Sequence, residues 1–251
     1  MKQTMPETAL ILENQTLRAE FSGRSGALLQ IEDRACGFSH LSGQAAVPFS
    51  AIRAGARVEE FERFHYQESK GRLELSWQLP GAVLHAVVRL LEDSLAFRFD
   101  LQQQTAGVYQ AVEYPVIGGL VSQGERSLLA HPWATGVLMR DPASFLPEDG
   151  ALRYAPYPEC FSGAPMQMMT YFHKDQSGLY LVALDGRLHQ KWLNAYTVDG
   201  ALCLSHMYGF EDLRPGADIR MDYDFVLQVY EGKSWEQAAE RYRGFALART
   251  W

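Results

Sequence analysis

Apolar residues recur along this chain with a period of two. Leu73, Leu75, Trp77 and Leu79 alternate with Glu74, Ser76 and Gln78. Leu95, Phe97, Phe99 and Leu101 alternate with Ala96, Arg98 and Asp100. Met221, Tyr223, Phe225, Leu227 and Val229 alternate with Asp222, Asp224 and Gln228. Successive strand side chains point to opposite faces, so each run predicts a strand with one face buried and one wet, as in antiparallel sheet. Turn residues punctuate the runs at Ser25-Gly26, Ser69-Lys70-Gly71, Pro80-Gly81, Glu92-Asp93, Asp199-Gly200 and Pro215-Gly216. Asp199-Gly200, between Trp192–Val198 and Ala201–Tyr208, is the strongest hairpin signal, because both central residues of a type I′ turn need positive φ. About a dozen to sixteen strands at this spacing, without helical stretches between them, predict an all-β sandwich rather than βαβ units.

Two stretches break the pattern. Between Gly118 and Pro165 the alternation weakens while Pro, Gly and aromatics accumulate, in His131-Pro132-Trp133, Tyr154-Ala155-Pro156-Tyr157-Pro158 and Phe161-Ser162-Gly163. A long irregular stretch inside a compact domain is usually functional or a covering loop. At the end the period changes to that of a helix. Ser234-Trp235-Glu236-Gln237 reads as a capping box, and Trp235, Ala238, Ala239, Tyr242 and Ala246 form one apolar face that runs nearly to Trp251. The expected organisation is a sandwich over residues 1–231 and an amphipathic helix over 232–251.

Composition narrows the function classes. The 251 residues are 47% hydrophobic and 21% charged, which is globular and suits one large β domain. With 23 basic and 30 acidic residues the net charge is −7, and the basic residues form no stripe. Such a chain gains nothing from counterion release, so no nucleic-acid partner is expected. The short apolar run Ala9–Leu12 is too short for a secretory core or a membrane span, so a cytoplasmic protein with no membrane partner is expected. Cys36, Cys160 and Cys203 are isolated, odd in number and outside any CxxC motif. They read as reduced, mostly buried thiols rather than zinc ligands.

Most motif-borne chemistry is missing. There is no GxSxG elbow, and Gly118-Gly119 and Ser22–Gly26 read as turns rather than phosphate loops. His65, His85, His131, His173, His189 and His206 show no ligand spacing, so no metal and no other cofactor is expected. His173 and Asp175 fall in an apparent hairpin turn. The carboxylates best placed for sugar chemistry are Glu113, Glu159, Asp185 and the pair Glu211-Asp212, although glycosidase or epimerase work needs two acids that converge. Aromatics are more informative, because sugar rings stack their C–H faces on Trp and Tyr while their hydroxyls seek planar polar partners. Trp133, Tyr154, Tyr157, Phe161, Trp192 and Tyr196 lie in or beside the irregular centre. Carbohydrate-binding candidates are therefore Trp133, His131, Tyr157, Glu159, Trp192 and Asp185, and no residue is singled out as catalytic. Roofing one end of the sandwich is an equally open role for the aromatics.

The order of motifs resembles a known family. Leu12-Glu13-Asn14-Gln15-Thr16-Leu17 with Gly26-Ala27-Leu28-Leu29-Gln30-Ile31 resembles the first hairpin of the large antiparallel β-supersandwich, the galactose-mutarotase-like fold. Ser162–Tyr171 followed by Gly178–Ala183 looks like a recurring stretch of such domains at the N-terminus of certain bacterial glycoside hydrolases. Gly232–Arg243 is similar to the helix that leads into their catalytic barrel. The resemblance implies an all-β supersandwich with a C-terminal helix, non-catalytic and carbohydrate-associated, whose partners are a mono- or oligosaccharide and a (β/α)8 barrel bearing the catalytic acids. Two other readings stay open: a stand-alone aldose epimerase, which needs a His and a Glu in one cleft, and a structural or oligomerising sandwich. The Asn-His motif of mutarotases is missing, and fold likeness alone does not license function.

Overall fold

A computed structural model describes residues 9–104, 109–148, 152, 155–159, 161–209 and 218–249. Tyr154, Cys160, Glu211, Asp212, Pro215, Gly216 and Trp251 lie outside the described residues. Twenty strands are formed among those described: β1 (Ala9–Glu13), β2 (Leu17–Ser22), β3 (Leu28–Asp33), β4 (Phe38–Ser39), β5 (Ser50–Arg53), β6 (Ala56–Val58), β7 (Arg63–Ser69), β8 (Arg72–Leu79), β9 (Ala82–Leu90), β10 (Ser94–Gln103), β11 (Tyr109–Leu120), β12 (Ser127–His131), β13 (Val137–Arg140), β14 (Ala155–Tyr157), β15 (Met168–His173), β16 (Ser177–Ala183), β17 (Lys191–Val198), β18 (Ala201–Gly209), β19 (Ile219–Arg220) and β20 (Phe225–Glu231). A single α-helix, α1 (Trp235–Leu247), follows them. The count exceeds the dozen to sixteen expected because several edge strands are only two to four residues long.

Three antiparallel sheets result. β1 to β4 form a four-stranded sheet in sequence order. A ten-stranded sheet runs β13-β12-β15-β16-β20-β10-β9-β8-β7, with β19 also paired to β10. A six-stranded sheet runs β14-β17-β18-β11-β5-β6. The alternating residues of β8 and β10 point inward as expected: Leu73, Leu75, Trp77, Leu79, Leu95, Phe97, Phe99 and Leu101 join one core with Phe21, Ile31, Leu193, Leu204 and Phe225. Each large side chain buried this way contributes about 1.5–3 kcal/mol. The hairpin at Asp199-Gly200 pairs Val198 with Ala201 and has φ of 49° and 76° at its two central residues.

β15, β16 and β18 are buried along almost their whole length and so do not alternate. For β15 and β16 the cause is α1, which lies across the outer face of the ten-stranded sheet. Its Ala238 is fully buried against a cluster of Met168, Phe172, Tyr180, Val182, Val226 and Tyr230. A strand covered on both faces reads as a continuous apolar run. The helix departs from expectation at both ends. Ser234 is the N-cap, but its side chain makes no capping bond and Gln237 Oε1 is buried without a partner, so the capping box is not formed. The helix ends at Leu247 rather than near Trp251, and Trp235 remains 40% exposed.

The irregular centre also holds more structure than its composition suggests. β11 runs on to Leu120 through two bulges, one around the cis Tyr114-Pro115 bond and one at Gly118-Gly119. A Cβ at Gly119, whose φ is 73°, would lie 2.2 Å from the Gln44 carbonyl oxygen, so glycine lets the 42–45 loop close on the strand. Cys203 is buried as expected, but Cys36 is exposed, because it sits in the turn between β3 and β4.

Candidate functional site

Parity along β17 sets up the polar chemistry. Lys191, Leu193, Ala195 and Thr197 share one face, and Trp192, Asn194 and Tyr196 share the other. Leu193 and Ala195 belong to the main core, so Lys191 is carried inward with them. It is fully buried. Its ammonium donates to Asp185 Oδ2 at 2.6 Å, to Gln167 Oε1 at 3.0 Å and to the His189 carbonyl at 2.7 Å. The rings of Tyr157 and Tyr223 lie 4.6 Å and 5.1 Å from the same nitrogen. Three donors thus meet three acceptors, with two aromatic faces around them, and the charge is compensated in place.

Asp185 is also buried. Besides Lys191 it accepts the backbone N–H groups of Arg187 and His189, each at 2.7 Å, and its Oδ1 lies 3.1 Å from His189 Nδ1. Burial alone would raise this carboxyl, but the hydrogen bond and charge of Lys191 outweigh it and hold it below the usual carboxylate range. His189 stacks on Tyr223 with ring centroids 6.0 Å apart and planes 20° apart. Tyr223 donates to or accepts from His206 Nε2 at 2.9 Å. Burial, opposed by the hydrogen bond to the Tyr114 carbonyl, lowers His206 to about 3, so this imidazole is neutral. A shallow cleft of about 450 Å³ opens over the nest, lined by Arg98, Asp185, Arg187, Asp222, Tyr223 and Arg249 among others.

The opposite face of the six-stranded sheet carries a second buried carboxylate. Glu113 accepts from Ser50 Oγ at 2.7 Å, Arg57 Nη2 at 2.5 Å, Asn194 Nδ2 at 3.3 Å and the Ser205 hydroxyl. Burial pushes it up, and Arg57 with these three donors overcomes that and holds it low. Asn194 Oδ1 is buried with no partner.

A third region is the corner where β12 and β14 end. The cis Tyr157-Pro158 bond turns the chain into the 158–165 loop. Ala134 donates to the Gly163 carbonyl at 2.6 Å, Trp133 Nε1 donates to the Ser162 carbonyl at 3.1 Å, and Phe161 N–H donates to Glu159 Oε1 at 3.0 Å. A Cβ on Gly163 would sit 2.2 Å from the Pro156 carbonyl oxygen, so only glycine permits this close loop. Phe161 is 86% exposed, and Trp133 and Glu159 are half-buried beside it.

The six expected sugar-binding residues therefore divide. Trp133 and Glu159 share the corner with Phe161. His131 is buried beneath them, its Nε2 on the Leu193 carbonyl at 2.9 Å and its Nδ1 accepting from Trp133 N–H at 3.2 Å. Burial brings it down to about 4, so it is a neutral strut. Tyr157 and Asp185 meet at Lys191 in the interior, and Trp192 lies half-buried on the other face of β17, against Gly209. His173, Asp175 and their neighbours form the β15–β16 hairpin, with Asp175 at φ 63°. Lys191 and Gln167 are not among the sequence candidates, and His189 enters there only as one of the scattered histidines without ligand spacing. The signal for Lys191 was its parity with Leu193 and Ala195, while Gln167 and His189 lie in loops without periodicity. Among the described residues no three His, Cys, Asp or Glu side chains converge as a metal site.

No family model matches the chain. A Monosiga brevicollis protein named "Putative glycoside hydrolase 22789" is 38% identical over an alignment of 120 residues that covers 43% of this chain and 10% of that protein. The chain thus spans a tenth of the length of this curated relative. The solved α-N-acetylgalactosaminidase NagBb of Bifidobacterium bifidum, in its GalNAc complex, superposes with a TM-score of 0.68 at 10% identity, over 95% of this chain and 39% of that one. A galactose mutarotase related enzyme from Lactobacillus acidophilus superposes with a TM-score of 0.59 at 10% identity, over 90% of this chain and 99% of that one. The chain has the galactose-mutarotase-like supersandwich fold, which occurs both within a larger glycosidase and as a whole protein.

Proposed function

We propose that this chain is a carbohydrate-associated sandwich module of a larger glycoside hydrolase, supporting a catalytic (β/α)8 barrel and carrying no catalytic residues of its own. The saturation of the two buried carboxylates carries this reading. Asp185 and Glu113 lie on opposite faces of the six-stranded sheet, and each is neutralised by its own cation and by further donors. Hydrolysis of a glycoside needs two carboxyl groups flanking one bond, and neither of these can turn toward a shared substrate. The extent of NagBb beyond the matched 39% of its chain is consistent with a partner domain.

Sugar contact belongs to the corner in this reading. Phe161 and Trp133 offer apolar faces to the sugar C–H groups, Glu159 offers an acceptor beside them, and His131 and Tyr157 hold the platform from below. Glycan-array screening followed by calorimetry tests it. Binding that is lost in Trp133→Ala, with the fold retained, is expected, and a chain that binds no glycan would remove the sugar-contact half. The gene downstream of Trp251 tests the other half, where a reading frame encoding a barrel is expected and a stop codon would refute it.

One observation favours an epimerase as the second reading: a histidine and carboxylates do meet, with His189 Nδ1 3.1 Å from Asp185 and 3.8 Å from Asp222. Polarimetry decides between the readings. Faster anomer exchange in an aldose solution, abolished by His189→Gln, would replace the module by an enzyme.

A further inference from the structure

The seam between the N-terminal sheet and the main sandwich is polar, and two buried histidines sit in it. His40 follows β4, and His173 ends β15. Neither has accessible surface. Ser177 Oγ lies 2.9 Å from His40 Nε2 and 2.7 Å from Asp33 Oδ2. The single serine proton goes to the carboxylate, so the serine oxygen accepts from His40 and fixes it as the Nε2–H tautomer. On the other side Ser127 Oγ accepts from Gln123 N–H at 2.7 Å and lies 3.1 Å from His173 Nδ1. The assignment complementary to His40 puts the Ser127 proton on that nitrogen and the His173 hydrogen on Nε2.

The remaining nitrogens are the informative ones. His40 Nδ1 and His173 Nε2 are both buried with no protein partner. By the tautomers above, one is a bare acceptor and the other a donor, so they are complementary. The ring centroids are 6.2 Å apart with planes at 36°, and the two nitrogens make no direct bond. Phe38 covers both rings, with centroids 4.9 Å from His40 and 4.7 Å from His173. Two buried groups of opposite sense left unpaired are each destabilising, because neither recovers the hydrogen bond it gave up to water. A water bonded to both at about 2.8 Å per bond spans about 4.5 Å between nitrogens, a separation that rings at this distance allow.

We infer that His40 and His173 form a specific binding site for one internal water, which donates to His40 Nδ1, accepts from His173 Nε2–H and joins the N-terminal sheet to the β12–β15–β16 edge beneath Phe38. The full relay then runs from Asp33 through Ser177, His40, the water and His173 to Ser127, across both sheets. Burial, with the neighbouring His173 second, lowers His40 to about 3, and burial with Arg126 second lowers His173 to about 4, so both rings are neutral acceptors and donors at neutral pH as the relay needs.

A crystal structure near atomic resolution at pH 7.5 tests this. One ordered water within hydrogen-bond distance of both nitrogens is expected. A dry gap, or a ring turned to bond protein instead, would overturn the site. Nitrogen-15 imidazole spectra in solution should show the Nε2–H tautomer for both residues, and an Nδ1–H form of His40 would break the relay. Water relaxation dispersion provides the variant test: His173→Phe should lose one long-lived water relative to the native chain, whereas His85→Phe, on the outer sheet face, should keep the count. Equal counts in the native chain and His173→Phe would refute the proposal even if the fold is intact.

Discussion

The Lys191 nest and the Trp133–Phe161 corner share β14 and the loop that follows it, yet they are built in opposite ways. In the nest every charge is used: Lys191 and Asp185 are buried, and each bonds to several partners from separate strands and loops. In the corner the large side chains stand outward, with Phe161 86% exposed, while the backbone beneath them is tightly bonded. The difference separates support from contact. A buried, saturated ion pair can hold a scaffold but cannot reach a ligand, and exposed aromatics on a fixed loop can reach a ligand while adding little to stability. Substitutions and pH should therefore act on stability through the interior and on binding through the corner.

Acid should produce the largest effect. His40, His131, His173 and His206 are buried neutral, with values lowered to about 3, 4, 4 and 3, burial being the main cause. An unfolded histidine titrates near 6.5, so between about pH 6.5 and 4 the unfolded chain binds more protons than the folded one. The contribution is fully present above pH 6.5 and is lost as pH falls, at up to about 1.4 kcal/mol per pH unit for each histidine. Urea midpoints at pH 7.5, 6 and 5 should decline steadily. A flat profile would mean that these rings have charged partners in the fold.

Lys191→Met comes next. It keeps much of the volume but leaves Asp185 buried with no cation, and breaking a buried pair from one side costs about 3–5 kcal/mol. For a chain of this size that lowers the melting temperature by about 2–4 °C per kcal/mol. Calorimetric melting should show it, and adding Asp185→Asn should restore part of the loss. If the single variant melts like the native protein, the nest is not structural. Arg57→Gln sharpens the point with a smaller loss of about 1–3 kcal/mol. Its partner Glu113 keeps the Ser50, Ser205 and Asn194 donors, and the Arg57 side chain is already 27% exposed.

The sequence made the first of these regions hard to see and the second easy. Strands with one wet face, such as β8 and β10, show their period directly because every second residue meets water. β15 and β16 show none, since the core covers one face and α1 the other. The nest draws Gln167, Asp185, Lys191 and Tyr223 from four separate segments, so no local spacing could announce it, and Asp185 alone gave no sign of a cation waiting six residues on. Trp133 and Glu159 stand among the sequence candidates, and Phe161 among the aromatics of the same stretch, because Pro and Gly cluster around them and mark a covering loop. The capping box shows the limit of spacing: Ser234 and Gln237 are correctly placed in the sequence, but the Ser234 side chain makes no capping bond and Gln237 Oε1 is buried without a partner.

Phe161→Ala is the smallest perturbation of stability and the sharpest of function. The ring is 86% exposed, and the hydrogen bond that joins this residue to Glu159 uses the backbone N–H, which alanine retains. Exposed substitutions of this kind change stability by no more than about 0.5 kcal/mol. Melting should therefore be unchanged, while affinity for any glycan the native chain binds should fall at least about tenfold, the equivalent of about 1.4 kcal/mol of stacking. Unchanged affinity would move the sugar contact away from the corner, toward Trp192 and the face that carries Glu113. A large drop in stability instead would show that Phe161 packs against a neighbouring domain, and the corner would then be a joint rather than a binding surface.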